Sequence, residues 1–250
     1  MRPMRAKIPA LGVAMVAGAA LAAEPETVRD YDECIALVEN SPDRAVRLAG
    51  EWARFGGGAA ARHCHALALL AVGAPDRAVD ELLALAAEEP DLPNETRAEV
   101  LVQAGEMLLD RGEAGAAGMA ATEARRLHPS SRGALGLRGA ARIAAGDVSG
   151  GISDLDQALA EGAEAGLLVR RAAAHRMNGA LAEARDDAVR ATEIDPAFAA
   201  AWLERGRIEA RSGDRGAARR SLLEAIGLDR EGGIGRLARG VLQRMEADID

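Results

Sequence analysis

The sequence predicts an all-α fold, a solenoid of helix pairs stacked in register, and three observations carry that prediction. Glycines recur at a nearly fixed period, at Gly73, Gly112, Gly146, Gly179 and Gly213, with spacings of 39, 34, 33 and 34 residues. Periods of this length mark architectures built from stacked supersecondary units. Small residues recur in step with the glycines. The hydrophobic content, 49%, is carried by alanine and leucine, with aromatics at only 2%. Alanine favours helix and lets helices approach closely, whereas β-branched and aromatic runs that would seed a sheet are nearly absent.

The N-terminus reads as a targeting segment rather than as part of the fold. Arg2, Arg5 and Lys7 form a cationic start, Ile8 to Leu21 an apolar stretch, and Ala20-Leu21-Ala22 a small-residue cleavage site. The expectation is a signal peptide over residues 1–22, cut after Ala22 or Ala23, and a periplasmic or secreted mature chain. An uncleaved anchor would need a longer apolar run, since a membrane span takes about 20 residues. No later apolar stretch reaches that length, so no stable membrane insertion is expected. The chain has 31 Lys and Arg against 39 Asp and Glu, a net charge of −8, and losing three basic residues with the segment takes it to −11. That balance argues against a nucleic-acid partner, which needs a basic face for the phosphates. Lys7 is the only lysine, so lysine chemistry is excluded from the mature chain.

Residues 26–250 read as one solenoid of six helix pairs, over about 26–56, 59–90, 95–129, 131–162, 165–195 and 198–229, closed by a helix over 233–247. Each turn glycine is expected just past a helix C-terminus, where only glycine adopts the left-handed conformation without strain. Asn40 stands 33 residues before Gly73 and is assigned the same role. Ser41-Pro42, Asp147 and Asp214 are expected to start the helices that follow. A small residue seven positions before each glycine recurs as Ala66, Gly105, Gly139, Ala172 and Gly206. Another five positions after recurs as Ala45, Ala78, Ala117, Gly151, Ala184 and Ala218, and a third column holds Ala124, Ala158, Ala191 and Ala225. Asp91 to Glu95 interrupts the period by five residues and is read as a longer loop at Pro93-Asn94. Gly56-Gly57-Gly58 is read as a flexible connection. The closing helix has its apolar positions on one side, at Ile234, Leu237, Ala238, Val241, Leu242 and Met245, as a solenoid cap requires.

These columns resemble the tetratricopeptide repeat. The match is best in Ala201-Trp202, Gly206, Gly213-Asp214, Ala218 and Ala225, next in Ala172, Gly179, Ala184, Ala191 and Ile194-Asp195-Pro196, and covers about residues 26 to 230. The resemblance implies a right-handed α-solenoid of helix-turn-helix repeats whose first helices line a concave surface that grips peptides or partner helices. It also departs from the family: the large aromatic residues are replaced by Ala, Leu, Arg or His, which predicts thin cores.

Within that frame Cys34 and Cys64 fall on the first helices of two consecutive pairs. They are read as a disulfide suited to an oxidising compartment, the other reading being two buried thiols. His63 and His65 flank Cys64, but residues two apart on a helix face different ways, so no metal site or other cofactor is expected. Asp186-Asp187 and Glu88-Glu89 are read as solvated helix surface, and Trp52, Phe55, Phe198 and Trp202 as packing between repeats. No nucleophile–base motif appears. Carried over by position, the concave surface would include His63, Leu67, Leu70, Val102, Glu106, Asp110, Ile143, Val169, Arg176, Met177, Leu203, Arg207 and Arg211. Arg176, Arg207 and Arg211 would meet an acidic segment, with Met177 and Leu203 as an apolar floor; solvated surface is the other reading of the arginines. The function expected is an exported adaptor or assembly factor that binds a protein partner and is not an enzyme. The alternative is a redox or metal-dependent enzyme, or an enzyme accessory, using Cys34, His63, Cys64 and His65.

Overall fold

A computed structural model describes residues 27–89 and 91–247. The expected signal peptide and Pro90 lie outside the described residues. Among the described residues thirteen α-helices follow one another, in six antiparallel pairs and a closing helix. They are α1 (Tyr31–Asn40) with α2 (Pro42–Trp52), α3 (Gly58–Ala71) with α4 (Pro75–Glu88), and α5 (Asn94–Asp110) with α6 (Ala114–Leu127). Then come α7 (Arg132–Ala144) with α8 (Val148–Ala160), α9 (Ala165–Met177) with α10 (Leu181–Ile194), and α11 (Ala199–Arg211) with α12 (Arg215–Leu228). The last is α13 (Gly233–Ala247). Each second helix packs on its own first helix and on the first helix of the next pair, while the second helices do not touch one another. The first helices therefore lie side by side on the inner face.

The five periodic glycines occupy the turns, with φ between 76° and 93°. In each of these turns the residue after the glycine donates its N–H back to the preceding helix, as Asp147 N does to the Arg142 carbonyl at 2.9 Å. This is how a left-handed residue closes a helix C-terminus. Asp147 and Asp214 accept from Gly150 N and Ala217 N, capping α8 and α12. Asn40 does not play the glycine's part. It stays helical, its side chain donating to the Ala36 carbonyl at 2.7 Å. The first turn is made instead by Ser41 alone, at φ −152° and ψ 66°, with Pro42 opening α2. Pro42 supplies a φ already suited to a helix start, and Ser41 makes no side-chain capping bond.

The five-residue interruption is mostly helix, not loop. The connection 89–93 is one residue longer than the later ones, and α5 has 17 residues where α7, α9 and α11 have 13. One added turn absorbs almost four residues. The Gly56-Gly57-Gly58 segment is also more defined than a flexible connection. It closes a π-type turn, Ala53–Gly57, with Gly56 at φ 96° and Gly58 at φ 56°. Phe55 on that turn is 86% exposed, so it packs between no repeats; Trp52 and Phe198 do join cores.

The pairs meet at their small columns. In the fourth pair a Cβ added to Gly151 would stand 2.7 Å from the Gly139 carbonyl oxygen, closer than the two backbones permit. In the sixth, a Cβ on Gly206 would meet Leu222 Cγ at 2.8 Å. Beside this contact runs a polar column that the sequence reading missed. The residues eight before and eight after the turn glycine face each other across three pairs: Arg138 and Asp154, Arg171 and Asp187, and, through Glu209, Arg205 and Ser221. Arg138 and Arg171 grip their aspartates with two hydrogen bonds each, of 2.5 to 2.8 Å. Hydrogen bonding to Asp154 and Asp187 raises both guanidinium pKa values above their ordinary range despite burial. Asp187 is buried rather than solvated. The ion pairs occupy space that large aromatics would otherwise fill, so these cores are polar at one edge rather than merely thin.

The closing helix packs on α12 and α11. Asp229 Oδ2 accepts from Ile234 N at 2.8 Å and Gly235 N at 3.2 Å, which seats its first turn. Ala238 is buried and Ile234, Val241 and Leu242 pack against the core, whereas Leu237 is exposed.

Two outcomes follow for unfolding in urea. Gly151→Ala should cost about 1–3 kcal/mol by forcing α7 and α8 apart. Gly118→Ala, where an added Cβ would meet only Ala141 Cβ at 3.8 Å, should instead stabilise by about 0.5–1 kcal/mol. In the ion-pair column, Arg171→Ala should cost about 1–3 kcal/mol by stranding Asp187. The pair Arg171→Leu with Asp187→Leu should recover most of that loss, because a stranded buried charge costs more than a removed pair.

Candidate functional site

Cys34 and Cys64 are joined in a disulfide, their α-carbons 6.3 Å apart and both side chains fully buried. The bond ties α1 to α3 inside a core with Val28, Leu37, Leu48 and Ala68. Bonded and buried, these sulfurs offer no thiolate to a substrate or a metal. The flanking histidines diverge as helix geometry requires. His65 points toward Glu81, 4.0 Å away, and burial lowers its pKa although Glu81 opposes the shift. His63 points the other way and links three helices: its Nδ1 lies 2.8 Å from Tyr31 Oη, and its Nε2 lies 2.8 Å from Gln103 Oε1. Tyr31 and Gln103 thus engage both ring nitrogens of His63. Among the described residues, no group of three or more His, Cys, Asp or Glu side chains is arranged to hold a metal ion.

The first helices do not form an even wall. α1 packs on α3, α5 on α7 and α9 on α11, but α3 and α5 have no close backbone contact. A cavity of about 500 Å³ opens between them. Ala59, Ala60, Leu85, Leu92 and Val100 give it apolar walls, and Tyr31, His63, Thr96, Glu99 and Gln103 bring polar atoms. The His63–Gln103 bond is the bridge across the gap.

Further along the face, charges are already committed within the chain. Arg170 on α9 reaches Glu106 on α5 at 2.6 Å, across α7. α7 between them is rich in glycine and alanine, and at Gly133 and Gly136 it is met by Val102 of α5 and Leu167 of α9. Arg176 Nε donates to Glu204 Oε1 at 2.5 Å, and Arg207 Nη1 approaches Glu204 Oε2 at 3.4 Å. Glu204 is only 3% exposed. The sequence reading passed over Glu204, although its spacing of three from Arg207 marks a helical ion pair. Its link to Arg176, in another pair, had no local signal. Arg211 is exposed and forms no ion pair among the described residues. Two arginines thus share one carboxylate, and Arg211 lies two turns past Glu204 on the same helix. Met177 is 52% exposed beside them. Leu203 is not a floor for a partner: it is 3% exposed and packs with Leu222, Ala225 and Ala238 under the closing helix.

No family model matches the chain, and no curated protein is similar to it in sequence at a significant level. Solved structures match it in fold. A tetratricopeptide repeat protein from Parabacteroides merdae superposes with a TM-score of 0.69 at 14% identity, over 86% of this chain and 84% of that one. The APC/C hetero-tetramer Cut9–Hcn1 gives 0.67 at 14% identity, over 86% of this chain; the match spans 42% of that longer chain. The C-terminal part of a repeat protein from Cytophaga hutchinsonii gives 0.54 at 15% identity, over 82% and 81%. At such identities the likeness is one of fold.

Replacing both cysteines by serine should lower stability by about 3–4 kcal/mol, since the bond closes a loop of about 30 residues. Urea unfolding with and without reductant checks this, and reductant should leave the serine variant unchanged.

Proposed function

We propose that this chain, a solenoid with the tetratricopeptide-repeat fold, is a protein-binding module. It holds an acidic segment of a partner on the inner face of its first helices and does not catalyse a reaction. The observation that carries the reading is the cluster at α9 and α11. Arg176 and Arg207 share one buried carboxylate, Glu204. Arg211, two turns past Glu204 along α11, is exposed and makes no ion pair among the described residues, so this stretch keeps more positive than negative charge. Guanidinium groups take carboxylates through paired hydrogen bonds, and the exposed Met177 offers apolar contact beside them. Fold alone does not assign function, so the proposal rests on this local chemistry. An exported location is part of the same proposal. The N-terminal targeting pattern and the Cys34–Cys64 disulfide support it, because structural disulfides belong to oxidising compartments.

The geometry dictates which arginines to change. Arg176 neutralises a buried glutamate, so Arg176→Ala would disturb the fold as well as the site. Arg207 and Arg211 are the clean probes. Once cross-linking in envelope extract has identified a partner, Arg207→Ala with Arg211→Ala should weaken its binding about three- to tenfold with an unchanged unfolding midpoint. Wild-type affinity should also fall with added salt, because exposed charges are screened over about 8 Å at physiological ionic strength. Unchanged affinity in a folded double variant would remove the arginine cluster from the binding face.

A further inference from the structure

We propose that the gap between α3 and α5 is a second, separate binding site on this face, which receives an apolar side chain of a peptide segment together with an adjacent cationic residue. It extends the proposed function, sharing the same inner face but not its arginines. The cavity has the volume of a ligand cleft, about 500 Å³, within the range in which small-molecule and side-chain sites fall. Its lining is mostly apolar, with Ala60, Leu92 and Val100 among the walls. Its polar atoms are organised, because Tyr31, His63 and Gln103 satisfy one another in a chain across three helices. A ligand therefore need not supply partners for them. Glu99 differs. It is exposed, lines the cavity, and makes no ion pair among the described residues. A carboxylate left free beside an apolar cleft selects a cation next to the inserted group, and the chain's net charge of −8 acts in the same direction.

The gap follows from the chain's own irregularity. The five-residue interruption between the second and third units lies at this junction, in the connection and in the added turn of α5. Neighbouring first helices elsewhere stay in contact, and only α3 and α5 are held apart.

Tyr31, the only tyrosine of the chain, is a built-in reporter. The probe is acetyl-Phe-Arg-amide, titrated into the mature protein while the ring resonances of Tyr31 and His63 are followed by NMR. The expected result is a saturable shift at both rings, in the millimolar range for so small a ligand. Acetyl-Phe-Glu-amide should bind about two- to fivefold more weakly, and acetyl-Ser-Arg-amide should give no saturable shift. Ala60→Trp, which fills the cavity from an exposed position, should abolish the response while the unfolding midpoint is kept. Glu99→Arg should reverse the order of the Arg and Glu probes. The proposal is overturned if the Phe-Arg probe leaves both rings unmoved, or if its response survives Ala60→Trp. It is overturned equally if the Ser-Arg probe binds as well, or if the charge of the second residue makes no difference in wild type. A protein carrying Arg207→Ala and Arg211→Ala should respond normally. Loss of partner binding there with an intact dipeptide response would separate the two sites, and failure of the arginine reading would leave this one standing.

Discussion

The close approach of the two helices inside a pair, backbone against backbone in the fourth and sixth pairs, is the constraint on which the remainder of the structure depends. Gly139 and Gly151 show it most directly, since neither tolerates a Cβ without pressing on the other's carbonyl oxygen. Where helices approach that closely, the turn between them must be short, and a left-handed glycine closes five of the six such turns. That explains why turn glycines and small columns keep the same period. Close approach also limits what can flank the contact. In place of bulky aromatic rings, this chain sets arginine against aspartate one turn to the side, and planar guanidinium–carboxylate pairs fit a narrow space while crossing from one helix to the other.

What was legible in the sequence was whatever repeats locally. The turn glycines, the pair boundaries and the closing helix over 233–247 are all read from spacing, and the helices lie where the spacing places them. The acid-rich stretches were misread for a physical reason. Asp187 sits next to Asp186, and two adjacent acids look solvated until the partner on the preceding helix is known. Arg171 lies 16 residues away, and its role appears only when both are counted from Gly179. The signal was thus present, but in the repeat frame rather than in the local charge pattern. Asn40 differs for another reason: Pro42 already fixes the start of α2, so the first turn closes through Ser41 alone, without a left-handed residue.

Pairings between repeats had no such frame. Arg170 with Glu106 spans 64 positions, and Arg176 with Glu204 spans 28. Neither separation is a multiple of the repeat, because each joins non-equivalent positions. These two pairs change the meaning of the inner face. Read residue by residue, it has an acidic middle and a basic end. In the folded chain Glu106 is answered from two repeats away, and the basic end is partly discharged by Glu204. The groups left for a partner are few.

That scarcity bears on how such a surface becomes selective. A face whose charges were all free would attract any oppositely charged chain through long-range forces, with little discrimination beyond net charge. Here Glu106 with Arg170, and Arg176 with Glu204, satisfy one another, which ties first helices together and removes these groups from competition. At the N-terminal end the disulfide holds α1 to α3, and at the other end the closing helix covers Leu203. Two uncommitted groups, Glu99 beside an apolar gap and Arg211 at the end of α11, are therefore carried on a frame tied at both ends. A segment that engages both must match their separation and their order of charge. Affinity from any one contact is small at an exposed position, so under the proposed function discrimination would rest on the spacing between such groups, which the stacked first helices hold.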